Sequence, residues 1–248
     1  MMVIMARANL TIRSMDNEKD YIMNLSQDTV GILKNFASIN PNIVMRVGNT
    51  VKTISEAKNI LAQADIREDI PVEFGIYDLN EFLNVVSLFE EPVLQFQDTK
   101  KVRVADGRQK QSVNYHFSDP TILTTPQKDI TMPSIEVSFD ITDSQMASLR
   151  RAASTLSVTD VVLKGTADGV TISVADIKDP TSNSYQLELD NVTRVAEDFE
   201  IMFNINNLKL IPGNYQVDIS SKFISNFKHS EYSLQYWVAV EKSSTFGV

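Results

Sequence analysis

The stretch Asp143-Ser144-Gln145-Met146-Ala147-Ser148-Leu149-Arg150-Arg151-Ala152-Ala153-Ser154-Thr155-Leu156 sets apolar residues at helical spacing beside two adjacent arginines, in a chain of formal net charge -9. Met146, Leu149, Ala153 and Leu156 give one stripe for burial, so a helix over these residues would pack along that stripe. With successive residues rotated by roughly 100°, Arg151 falls opposite the stripe and Arg150 at its edge. Positive charge therefore points away from the core. Asp143 or Ser144 offers a side-chain oxygen to the orphan amides of the first turn, which encodes the helix start locally.

An earlier segment repeats this pattern. Leu33-Lys34-Asn35-Phe36-Ala37-Ser38, within a helix read over 26–38, aligns without a gap on Leu149-Arg150-Arg151-Ala152-Ala153-Ser154, which sets Lys34 against Arg150. A second pair of echoes follows: Asp78-Leu79-Asn80-Glu81-Phe82 and Asn204-Ile205-Asn206-Asn207-Leu208 each come after a strand pattern and open a short helical one. One such pair would be chance. Two in the same order, with matching strands between, indicate an internal duplication.

At 248 residues the chain accommodates two domains of ordinary size, and 43% hydrophobic content supplies their cores. Cysteine is absent, which leaves no disulfide framework and no thiolate metal site and fits a reducing compartment. The sequence holds no run of about 18 or more apolar residues, the length a spanning helix needs, and no convincing signal-peptide cleavage region follows the first residues. A cytoplasmic protein is expected. The acidic balance disfavours a simple nucleic-acid coat, whose affinity would come from a surplus of lysine and arginine. A nucleic-acid role would need the cations gathered on one surface, as the helix at Arg150 hints.

Residues 1–22 match nothing in the second half, and their polar Asn17-Glu18-Lys19-Asp20 run reads as part of a loosely ordered extension. Strands are expected at 43–47, 51–55, 60–66 and 72–77, with Arg67-Glu68-Asp69 as a separator. Asp78 then caps a helix running to about Leu88 that turns Leu79, Phe82, Leu83 and Val86 inward. Strands at 93–97, 101–105 and 111–117 complete a first domain over 23–117. Residues 118–133 carry Pro120, Pro126 and Pro133 among threonines, a composition for an extended connector. The second domain, 134–248, repeats the order: a strand, the basic helix, further strands, a short helix near Asn206 ended by Pro212-Gly213, and closing strands. The expected class is α+β, two tandem similar sheet-rich domains, each with two helices on one sheet face.

Catalytic machinery is not legible. His116 and His229 sit in or beside strand patterns with no sequence partner and read as structural or solvent-exposed. Asp106 and Asp168 each precede a glycine in a turn, which backbone chemistry already explains. No Gly-rich phosphate loop, paired His-Glu helix motif or nucleophile elbow is present, so no catalytic residue, metal ligand or cofactor is assigned. The cations Lys34, Arg150, Arg151 and Lys209, the last placed on the short second helix, remain as the functional candidates. Taken singly they read as a solvated helix face; in two tandem copies such faces would form a continuous wall.

With these residues in hand, the chain resembles the DNA polymerase sliding clamp of the large tailed bacteriophages, a processivity factor. The resemblance is carried by Leu25-Ser26-Gln27-Asp28-Thr29 with Leu33-Lys34-Asn35-Phe36-Ala37, and by Ile76-Tyr77-Asp78-Leu79-Asn80 with Phe82-Leu83. It continues through Asp119-Pro120-Thr121 with Pro126 and Lys128, Pro212-Gly213-Asn214-Tyr215, and Val238-Ala239-Val240-Glu241 before Ser244-Thr245. The family start aligns near Met23, so residues 1–22 are extra, and the first helix offers only Lys34 where the second has two arginines.

The resemblance implies a DNA-clamp fold and a homotrimeric ring of six similar domains, with sheets outside and helices lining a hole that passes duplex DNA without reading sequence. It further implies loading by an ATP-driven clamp loader and tethering of the replicative DNA polymerase through a peptide held in an apolar pocket near the connector. Ile122, Leu123 and Trp237 are the residues nominated for that pocket, with ordinary core packing the competing reading, above all for Trp237. No membrane partner is expected, and the host cell cytoplasm is the expected location. Two other classes compete: a duplicated β-rich structural or assembly protein of a virion, and a hydrolase with a carboxylate site assembled by folding.

Overall fold

The computed structural model describes residues 11–15, 18–96, 98, 100–179 and 181–247, with side-chain environments from residue 21 onward. The chain divides into two compact units, the first running to Glu56 and resuming over Gln63–Gln127, the second comprising Ala57–Ala62 and the chain from Lys128 on. The division at Gln127 falls inside the proline-bearing stretch 118–133.

Unit 1 contains β1 (Thr11–Met15), β2 (Glu18–Met23), α1 (Gln27–Ile39), β3 (Ile43–Met45), β4 (Gly48–Ile54), β5 (Ile60–Ile70) from Gln63 onward, β6 (Phe74–Ile76), α2 (Leu79–Val86), β7 (Val93–Phe96), β8 (Lys101–Ala105) and β9 (Ser112–His116). One antiparallel sheet runs in the order β1-β2-β7-β8-β9, and β3 pairs with β6. Helix α1 buries Ile32, Leu33, Phe36 and Ala37, and α2 buries Leu79, Phe82, Leu83 and Val86, the four positions its periodicity predicts. Asp78 caps α2 as expected, accepting from the Asn80 and Glu81 amides at 3.0 and 3.1 Å.

Two segments differ from the sequence reading. Where residues 1–22 read as a loosely ordered extension, β1 and β2 form an antiparallel hairpin, and β2 joins the sheet with Tyr21 opposite Phe96 and Met23 opposite Leu94. Residues 1–10, 16 and 17, part of the same expectation, lie outside the described residues. The second difference is Arg67-Glu68-Asp69, expected to separate two strands and found inside β5. Burial alternates through it, with Ile66, Glu68 and Ile70 inward and Arg67 and Asp69 outward. Glu68, only 2% exposed, accepts from the Ser26 amide and the Thr29 hydroxyl at the start of α1. The orphan amides and positive end of that helix supply what a buried carboxylate needs. On the outward side Arg67 pairs with Asp28 of the same first turn at 2.5 Å.

Unit 2 contains β10 (Val137–Ile141), α3 (Asp143–Leu156), β11 (Asp160–Thr166), β12 (Gly169–Ala175), β13 (Tyr185–Leu189), β14 (Thr193–Arg194), β15 (Phe199–Asn204), β16 (Tyr215–Ser220), β17 (Ile224–His229) and β18 (Leu234–Ala239). One sheet runs β13-β12-β11-β15; in the other, β14-β10-β16-β17-β18 are neighbours in that order. The register of the first sheet sets Val161 between Val174 and Phe203, and Leu163 between Ile172 and Ile201, all six buried on one face. Gly165 of the same strand has no room for a side chain, since a Cβ there would lie 2.3 Å from the Phe199 ring.

Helix α3 has the bounds expected, but its cap is Thr142 rather than Asp143 or Ser144. Thr142 accepts from the Gln145 amide while the Gln145 side chain accepts from the Thr142 amide, a reciprocal capping box. The short helix expected near Asn206 is a single 3-10 turn, Ile205–Asn207. Asn204 caps it as Asp78 caps α2, by accepting from the amide two residues on. Propagation stops there: Asn206 and Asn207 are weak helix formers, and Leu208 and Leu210 are both buried, a period of two that requires extended chain. Among the described residues unit 1 thus carries two α-helices and unit 2 one.

Removing the Glu68 carboxylate leaves the Ser26 amide and the Thr29 hydroxyl without their acceptor. Glu68→Ala is expected to lower the free energy of unfolding by roughly 2–3 kcal/mol, measured by urea titration. A change below about 0.5 kcal/mol, the range of ordinary surface substitutions, would show that Glu68 does not anchor α1.

Candidate functional site

Helix α3 lies against β12 and β13 and seats Met146, Leu149 and Ala153 inward. Ser144, Ala147, Arg151 and Ser154 form its solvent face. Arg151 stands on that face as expected, over a shallow depression it shares with Ser148, Ala152, Thr155, Leu156, Ser184 and Tyr185. Its Nη2 donates to the Ser148 hydroxyl at 3.4 Å, a weak tether that leaves most of the guanidinium in water.

Arg150 is half-buried, and its Nη2 donates to the carbonyls of Leu208 and Leu210, each at 3.0 Å. The two neighbouring arginines therefore differ in kind: one is fixed to backbone, the other faces solvent. Lys34 is exposed on α1, on a face shared with Gln27, Gly31 and Ser38. The Leu33/Leu149 and Ala37/Ala153 positions of the repeat are buried in both helices, whereas Phe36 is buried and its counterpart Ala152 only half so. A large aromatic drawn into the core accounts for the different roll of α1, which leaves Lys34 more exposed than Arg150. Lys209 lies on the extended run after the 3-10 turn, not on a helix, half-buried between the buried Leu208 and Leu210.

The residues nominated for a peptide pocket have unlike environments. Ile122, at the end of the 3-10 turn Pro120–Ile122, is 70% exposed, whereas its neighbour Leu123 is buried. Leu123 packs so closely on Gly75 that a Cβ there would sit 2.8 Å from Leu123 Cδ1. Trp237 belongs to unit 2 and is buried within β18.

A polar network around the Lys209 segment has no sequence signature beyond two strand tyrosines. Tyr215 donates to the Ile211 carbonyl at 2.7 Å, and the Ile211 amide donates to the Tyr236 hydroxyl at 3.3 Å. Burial drives both phenols above their ordinary pKa, with the neighbouring tyrosine adding to the rise at Tyr215. In unit 1, Tyr115 is pushed up to about 12 by burial first and then by the Glu81 and Asp78 carboxylates. His229 is buried and satisfied: its Nδ1 accepts from the Glu231 and Tyr232 amides, which leaves Nε2–H to donate to the Pro212 carbonyl at 3.3 Å. His116 is exposed. Among the described residues no group of three or more His, Cys, Asp or Glu is placed to hold a metal ion, and no helix is long and apolar enough to cross a membrane.

Comparison with known proteins gives a consistent picture. Residues 26–121 match the family model described as DNA polymerase processivity factor, and residues 138–242 match the one described as gp45 sliding clamp, C terminal. The chain is 28% identical over 224 residues to the sliding clamp of Vibrio phage KVP40, covering 88% of this chain and 99% of that protein. It is 29% identical over 230 residues to the sliding clamp of Escherichia phage RB69, covering 90% and 99%. Among solved structures, A. fulgidus PCNA bound to the C-terminal region of FEN-1 superposes with a TM-score of 0.66 at 14% identity, over 91% of this chain and 99% of that one. The α+β architecture expected from the sequence is the clamp fold.

The raised tyrosines have a pH consequence. A phenol whose folded pKa exceeds its unfolded value near 10 leaves stability intact below pH 10. Above it, the unfolded chain ionises first and stability falls. Unfolding free energy should decline as pH rises from about 10 toward about 12, and absorbance titration should show Tyr115, Tyr215 and Tyr236 ionising above the ordinary phenol range. Ionisation of these three phenols near pH 10 in the folded protein would contradict this.

Proposed function

Because the chain belongs to the sliding-clamp family of DNA polymerase processivity factors, we propose that three copies close into a ring around duplex DNA and tether the phage's replicative polymerase to its template. The observation that carries this reading is the repeated helix placement. In each unit a helix buries one face and leaves a polar face with a cation outward, Lys34 on α1 and Arg151 on α3. Lys34, Arg151 and Lys209 face the duplex, with the charge of Arg150 behind them. They contact phosphate and read no bases.

A ring holds DNA by being closed, so it does not need strong contacts, and many phosphate bonds would impede sliding. The formal net charge of -9 is compatible with encirclement on these terms: an acidic exterior repels DNA, and the cation-bearing hole is the favourable path. Among the described residues each unit also presents a sheet edge with no further strand beside it, β9 in unit 1 and β13 in unit 2, and edges of this kind support head-to-tail closure of a ring. Opening such a ring calls for an ATP-driven clamp loader. The polymerase peptide would dock near the connector, where Ile122 is exposed beside the buried Leu123. The protein is not an enzyme, and it acts in the infected host cell, in the cytoplasm. The likeness to sliding clamps gives a virion-assembly role no support.

The test is topological. Protein loaded on nicked circular DNA by its loader should remain bound, and cutting the circle should release it. Lys34→Glu/Arg151→Glu should keep the fold, judged by circular dichroism, yet shorten processive synthesis by tenfold or more. Retention that ignores whether the DNA is circular, or unchanged synthesis by the charge-reversed variant, would overturn the reading.

A further inference from the structure

Adjacent residues on a helix diverge by about 100°, and at Arg150 and Arg151 this divergence separates two roles. Arg151 faces solvent, whereas Arg150 reaches across to the segment between the 3-10 turn and β16 and donates to the Leu208 and Leu210 carbonyls at 3.0 Å each. We propose that Arg150 is a positioning residue, which anchors residues 208–213 across α3 and so fixes where Lys209 stands on the DNA-facing wall.

The segment 208–211 has no strand ladder of its own; the Leu208 amide donates to the Ile205 carbonyl at 3.1 Å, and side chains hold the Leu208 and Leu210 carbonyls and both backbone groups of Ile211. Asp143, at the start of α3, accepts from the Gly213 amide at 2.9 Å, while its own amide donates to the Asn214 side chain at 2.9 Å. Tyr215 and Tyr236 hold the carbonyl and the amide of Ile211 from the core side. Arg150, two turns along α3 from Asp143, fixes the other end. Residues 208 and 210 of an extended run present their carbonyls on one side, where a single amino group of a planar guanidinium serves both. Lys209 lies between those two carbonyls in sequence, so its backbone is pinned on both sides.

A lysine at 150 would keep the charge but not the planar fork. Truncation would leave two carbonyls, flanked by buried leucines, without a partner. The proposal rests on the DNA-facing role given to Lys209 above, and the experiment separates the two. It compares Arg150→Lys, Lys209→Gln and the double variant as full chains. In free protein, amides of 208–213 should exchange at least tenfold faster in Arg150→Lys than in the parent, with no DNA present. On circular DNA, Arg150→Lys should shorten clamp retention as much as Lys209→Gln does, and the double variant should be no worse than Lys209→Gln alone.

A merely structural role would give the exchange result with additive losses in retention, and additivity would overturn the positioning role. Parent-like exchange in Arg150→Lys would overturn the anchor itself. Parent-like retention in Lys209→Gln would remove Lys209 from the wall and the positioning role with it, while exchange would still report the anchor. Failure of the parent to distinguish circles from linear DNA would instead defeat the ring.

Discussion

The structure depends on one packing constraint: a short amphipathic helix lying on a sheet can bury only one stripe. In α3 that stripe is Met146, Leu149 and Ala153, and in α1 it is Ile32, Leu33, Phe36 and Ala37. Whatever charge the helix carries must then face solvent or be satisfied internally. Arg151 takes the first course and Arg150 the second. Where the core of unit 1 admits a carboxylate, at Glu68, it does so only against the amide-rich start of α1. Both helices are thereby held by their first turns as well as by their stripes, α1 through Glu68 and α3 through the Thr142–Gln145 box and Asp143.

These local arrangements determine how much was legible in the sequence. The bounds of α3 were readable because period, cap region and stop agree, and Ser157 ends the helix in the left-handed conformation at φ 55°. Helix α2 was readable to its four inward residues from cap and period, although it ends at Val86 rather than about Leu88. Three features were not. A charged triplet inside β5 looks like a turn until the partner of its middle residue, 39 positions away at Thr29, is known. The echo of α2 at Asn204 repeats the cap but not the length, because apolar period two follows where period 3.6 would be needed. The role of Arg150 depends on carbonyls 58 and 60 residues distant, which helical geometry alone cannot place. The residues nominated for the peptide pocket came from the resemblance and from apolar character, and such reasoning does not separate an exposed Ile122 from a buried Leu123.

A chain of formal net charge -9 is poorly suited to gripping nucleic acid by charge alone, and the proposed encirclement does not require it to. Affinity built on phosphate contacts falls steeply with salt, whereas a closed ring is retained by its own interfaces and only guided by charge. The duplicated architecture fits the proposed ring, in which three chains of two units would supply six helix-bearing faces.

The most direct test of this account is the mass of the assembly in solution, by sedimentation equilibrium over a wide range of concentration. Closure predicts a species of three times the 27.8 kDa chain. A single 27.8 kDa species at every concentration, or an open-ended series of larger assemblies, would contradict it.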